Sequence, residues 1–92
     1  MYKFLAICGA GIGSSLLLKM LVDKVCIKHD IPSAIDNGDM SAARGDVDAI
    51  FTSSAFAEDL IERFPHLPVI SIVNYVSVDE MEARFKELGF IS

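Results

Sequence analysis

Ninety-two residues bound one core-forming domain, read as 1–92, with no room for a separate substrate domain. An apolar fraction of 52% excludes a disordered chain, and a net charge of −5 excludes the basic face that nucleic-acid binding requires. No apolar run reaches the roughly 20 residues that span a bilayer, and the short N-terminal stretch ending in Cys-Gly makes a poor signal peptide. Two cysteines separated by a predicted helix form no disulfide framework, so the expected setting is a reducing cytoplasm.

Taken in chain order, Phe4, Leu5, Ala6 and Ile7 are consecutively apolar, which predicts a central strand covered on both faces. From Ser14 to about His29 the period becomes helical. Leu17, Leu18, Leu21, Val22 and Val25 are expected on the buried side, with Lys19, Asp23, Lys24 and Lys28 opposite. Pro32 ends that helix, and Ser33 to Asp36 reads as a weak edge strand. Gly38 to Gly45 is a loop with at most one helical turn, and Ala-Ile-Phe-Thr within 48–53 is a third strand. Ser54 is placed to cap a helix to about Phe64, stopped by Pro65. Val69 to Val73 is the fourth strand. Ser77-Val78-Asp79-Glu80 is a capping box with Val76 and Met81 as its staple. Met81, Phe85 and Leu88 form the buried stripe of the last helix, and Gly89 ends it.

Four strands alternating with helices predict an α/β, flavodoxin-like domain. Its four-stranded parallel sheet has order 2-1-3-4 and helices on both faces. In such sheets ligands bind beyond the carboxyl ends of the strands, beside the first. The segments expected there are the loop after Cys8, Asn37-Gly38, Thr52-Ser53-Ser54 and Asn74-Tyr75-Val76.

The run Cys8-Gly9-Ala10-Gly11-Ile12-Gly13-Ser14-Ser15 carries the chemistry. It reads as a strand end, a glycine loop and a helix N-terminus, with a thiol exposed at the mouth. Backbone amides of such a loop and the helix dipole hold an anion, and the same field favours a thiolate nucleophile. Cys8 is therefore the candidate acceptor of a phosphoryl group. Gly9, Ala10, Gly11, Ile12, Gly13, Ser14 and Ser15 are the candidate phosphate cradle.

The spacing resembles the Cys-x5-Arg loop of protein tyrosine phosphatases, yet Ser14 stands where the arginine would. Without a guanidinium fork to stabilise the transferring group, hydrolysis would be slow, and only Asp39 or Asp46 offers itself as a general acid. Gly9-x-Gly11-x-x-Ser14 with Asp36 approaches a dinucleotide fingerprint, but the chain lacks the second half of that fold. His29 lies about 15 residues along the first helix, some 20 Å from the loop. His66 precedes the fourth strand, at the far edge of the sheet, so neither is a base for Cys8. Cys26 reads as packing, and no residues show metal-ligand spacing. No cofactor is expected.

C-x-x-G-x-G-S-S at the end of a first strand resembles the phosphocysteine loop of enzyme IIB components of the bacterial phosphoenolpyruvate-dependent sugar phosphotransferase system. The form Cys-Gly-x-Gly-x-Gly-Ser-Ser is most like the ascorbate type, with a close variant in mannitol-type domains. The stretches Lys19-Met20 to Asp23 and Val73-Asn74 to Met81 are also similar to that type. The resemblance implies that Cys8 accepts a phosphoryl group from a phosphohistidine on a IIA partner. Cys8 would then pass it to a sugar or sugar acid, such as L-ascorbate, bound by the membrane IIC transporter. It implies a cytoplasmic protein transiently at the inner membrane face, with Ile12, Leu16 and Tyr75 in a docking face. A phosphatase-like or purely regulatory module is the alternative reading.

Overall fold

The computed structural model describes residues 1–8, 12–75 and 77–91, with positions 12–15 and 40 described by backbone alone. In chain order the elements are β1 (Tyr2–Ile7), α1 (Ile12–Lys28), β2 (Ser33–Gly38), a 3₁₀ turn (Met40–Ala42), β3 (Ala49–Thr52), α2 (Ser54–Arg63), β4 (Val69–Ser71) and α3 (Val78–Leu88). The four strands are all parallel in the order β2-β1-β3-β4. This is the flavodoxin-like order expected from the alternation of strands and helices.

Strand alternation divides the core into two layers. Phe4, Ala6 and Cys8 face α1 and α3, among Leu18, Leu21, Val22, Val25, Phe51, Met81 and Phe85. Leu5, Ile7 and Ile50 face the other way, against Leu60 of α2 and Val47 of the β2–β3 connection. Burial on both faces explains why β1 and β3 read as unbroken apolar runs. β2, at the edge, carries only half-buried and exposed residues.

The helix boundaries carry corrections. α2 begins at Ser54, so Ser53 and not Ser54 occupies its N-cap, without a side-chain cap bond. α3 is capped as expected at Ser77, whose side chain accepts from the Glu80 N–H at 3.2 Å, and it ends at Gly89 with φ +83°. That left-handed turn is a conformation glycine adopts freely. The staple expected between Val76 and Met81 involves a residue outside those described.

Leu17 is a second correction. It lies 48% exposed, as do Leu16 at 48%, Met20 at 58% and Ile27 at 70%. Each residue of a helix turns about 100° from the last. The arc that meets the sheet and α3 takes Leu18, Leu21, Val22, Val25 and Cys26. Leu17 falls just outside that arc, while Leu16, Met20 and Ile27 lie opposite it. α1 is thus apolar on two sides, one of which the described chain leaves uncovered.

Candidate functional site

β1 delivers Cys8 to the carboxyl edge of the sheet. The Cys8 N–H donates to the Gly38 carbonyl at 3.1 Å, carrying the β1–β2 ladder one step beyond Ile7. Gly38 is required there by close approach, because an added Cβ would lie 2.6 Å from the Ala42 Cβ. On the opposite side the buried Thr52 hydroxyl donates to the Ile7 carbonyl at 2.7 Å. The peptide leading into Cys8 is therefore held from both neighbouring strands.

Three residues separate Cys8 from the first residue of α1. A 17-residue helix presents unsatisfied N–H groups and a partial positive charge at its start. Of the predicted cradle, Gly9, Ala10 and Gly11 lie outside the described residues. Ile12, Gly13, Ser14 and Ser15 have their backbone in the opening turn of α1, so the helix starts two residues earlier than the sequence period suggests.

The thiol is not open to solvent, contrary to its expected exposure. Cys8 is 5% exposed, and its Sγ lies 3.0 Å from the Tyr75 hydroxyl. Burial and the hydrogen bond to the Cys8 side chain push the Tyr75 phenol up to about 12, against an opposing hydrogen bond from Ser53. Tyr75 is thus a neutral phenol with a proton to donate at physiological pH. The sequence reading placed Tyr75 at this edge but assigned it only to a docking face. Its hydroxyl, alone among aromatics predicted at the strand ends, was the available signal of a polar partner for the sulfur.

Glu80 positions that tyrosine. Its carboxylate accepts from the Val73 N–H and the Asn74 N–H, each at 2.9 Å, instead of returning to Ser77 as a capping box would. The same bonds end β4 at Ser71, short of the expected Val73, because the next amides turn to Glu80 after Ile72 has donated to Thr52. Those amides hold the Glu80 carboxyl below its ordinary range, the Val73 bond being the larger cause. Stability from this clamp is complete above the ordinary glutamate value near pH 4.3 and is lost as pH falls through the lowered one. Glu80→Gln is therefore expected to be less stable than wild type at pH 7 by an amount that shrinks on acidification. Urea midpoints at pH 7 and pH 3 measure this, and a pH-independent difference contradicts it.

The remaining candidates are engaged elsewhere. His29 Nε2 lies 2.6 Å from Glu82, which Lys28 also reaches at 3.1 Å, joining the end of α1 to α3. His66 lies in the turn ahead of β4, at the opposite edge from Cys8. Cys26 is buried, and burial pushes its thiol up. Asp36, the acid of the dinucleotide reading, pairs with Arg44 at 2.8 Å, and Asp46 binds the same guanidinium at 2.9 Å. Asp39 accepts from the hydroxyl and backbone N–H of Ser41, which hold its carboxyl below the ordinary range. A group so placed is a poor general acid. Among the described residues no cluster of three His, Cys, Asp or Glu side chains is arranged to hold a metal, and no helix is long and apolar enough to cross a membrane.

Residues 3–87 match the family described as the lactose/cellobiose-specific IIB subunit of the PTS. Among solved structures the chain is similar to the lactose-specific IIB component domain of the phosphoenolpyruvate:carbohydrate phosphotransferase system (PTS) from Streptococcus pneumoniae. The TM-score is 0.64 at 18% identity, over 97% of this chain and 92% of that one. At that identity the likeness speaks for the fold. A search of the curated proteins returns no match.

Proposed function

This chain belongs to the lactose/cellobiose-specific IIB family of the sugar phosphotransferase system, and from that premise we propose that it is a phosphocarrier whose Cys8 becomes the phosphocysteine. The observation that carries the reading is the placement of Cys8 at the carboxyl end of a central strand, three residues ahead of α1. That is the position where an open parallel sheet and a helix N-terminus together favour an anion.

The transfer balances without a metal or an internal base. The sulfur lone pair forms an S–P bond as the N–P bond of a IIA phosphohistidine breaks. The nitrogen keeps that bond's electron pair, and the thiol proton ends on the released imidazole. In the second step a hydroxyl oxygen of the substrate held by IIC attacks the phosphorus. The sulfur takes back the electron pair of the breaking S–P bond, and the proton lost by the substrate hydroxyl passes to it. Amides of 9–15 and the hydroxyls of Ser14 and Ser15 cradle the phosphoryl oxygens in this reading. The exposed Leu16, Leu17 and Met20 on the opening half of α1 supply an apolar docking face beside the site. The similarity of the Cys-Gly-x-Gly-x-Gly-Ser-Ser form to the ascorbate type supports a sugar acid such as L-ascorbate as cargo. The carrier works in the cytoplasm and meets the membrane at IIC.

A hydrolase is disfavoured by Ser14 in place of arginine and by the depressed Asp39 carboxyl. The test is labelling from phosphoenolpyruvate with the general phosphotransferase proteins, with and without IIA, beside turnover of an aryl phosphate. The expected result is label that depends on IIA and no turnover. Turnover of the aryl phosphate without IIA-dependent label overturns the carrier reading.

A further inference from the structure

Three observations meet at Tyr75. Its hydroxyl is 3.0 Å from the Cys8 sulfur, and the sulfur it touches belongs to a residue only 5% exposed. Tyr75 also lines a groove along α1 with Leu17, Met20, Leu21 and Lys24. The backbone just before it is clamped by the Glu80 carboxylate through two amides. The residue whose hydroxyl meets the thiol is therefore the same one that borders the uncovered apolar side of α1.

We propose that Tyr75 is a positioning residue and a guard for phosphoryl transfer at Cys8. Its hydroxyl orients the sulfur, and its side chain shields the thiol from small electrophiles. This rests on Cys8 being the acceptor. A tyrosine kept neutral has a proton to give to a sulfur that is gaining charge, and it withdraws that bond as the lone pair turns to phosphorus. Removing the hydroxyl leaves the ring in place but frees the sulfur to rotate. Removing the ring uncovers the thiol. The two losses act in opposite directions on two different reactions.

The experiment uses Tyr75→Phe and Tyr75→Ala in the full chain, with Cys26 as the internal reference. Iodoacetamide is the small electrophile, and peptide mass spectrometry reads each cysteine separately. In Tyr75→Ala, Cys8 is expected to alkylate several-fold faster than in wild type while Cys26 is unchanged. General loosening of the fold would speed both. In Tyr75→Phe, alkylation of Cys8 stays near the wild-type rate. Its kcat for accepting phosphate from phospho-IIA falls about tenfold with KM unchanged, the scale of one hydrogen bond to a charged group. Unchanged Cys8 alkylation in Tyr75→Ala, faster alkylation of both cysteines, or wild-type kcat in Tyr75→Phe overturns the role of Tyr75. A wild-type chain that takes no phosphate on Cys8 overturns the carrier reading instead, and the alkylation rates still decide whether Tyr75 covers the thiol.

Discussion

Cys8→Ser is expected to abolish phosphoryl acceptance altogether while leaving the melting transition in place. The side chain is buried at the end of β1, and a serine hydroxyl fits the same volume. The Tyr75 hydroxyl, 3.0 Å from the sulfur, remains available as a hydrogen-bond partner for the new oxygen. The chemistry does not survive. An aliphatic hydroxyl is far less acidic than a thiol, and none of the described residues places a base beside it. His29 is held by Glu82 at the far end of α1. Radiolabel from phosphoenolpyruvate through IIA measures the loss, and circular dichroism checks the fold. Cys26→Ser, changed near the C-terminal end of α1, is expected to keep transfer.

The largest effect on stability is expected from Phe85→Ala. Phe85 is fully buried on α3, and its ring stacks on Phe51 at 5.5 Å and meets Phe4 edge-on at 5.8 Å and Phe90 at 5.7 Å. Phe4 and Phe51 belong to the two central strands, so this one ring fastens the last helix to the middle of the sheet. Emptying such a site costs about 3–5 kcal/mol, against a total stability of about 5–15 kcal/mol for a small domain. A domain near this size loses about 4–8 °C in Tm per kcal/mol. Urea unfolding of Phe85→Ala should therefore show a large fraction of the stability gone. Phe85→Leu, which keeps most of the volume, should lose under about 1.5 kcal/mol. Equal midpoints for the alanine variant and wild type would contradict the assignment of Phe85 as the central rivet of this face.

The sheet order and the position of Cys8 were legible because the signals for them are local. An unbroken apolar run such as Phe4–Ile7 fits a strand covered twice, and alternation with helices leaves few topologies. What the sequence did not reveal depends on contacts between distant residues. Glu80 stands at the third position after Ser77, where a capping box expects it, yet its carboxylate turns to the amides of Val73 and Asn74. Local spacing cannot register that exchange, nor the early end of β4 that follows from it. Leu17 looks like a core residue by type and lies one position from Leu18. Only the angle at which α1 meets β1 and α3 leaves it outside. The approach of Tyr75 to Cys8 spans 67 positions of the chain, and no periodicity reports a contact of that range.

The central claim is that Cys8 carries the phosphoryl group. The most direct test is phosphorus NMR of the wild-type chain loaded through phosphoenolpyruvate, the general phosphotransferase proteins and IIA, with tandem mass spectrometry locating the modified residue. The account predicts a single phosphorus bonded to sulfur, located on Cys8, that disappears when a IIC-bound substrate is supplied. Phosphorus on a histidine or serine, or on Cys26, would contradict it.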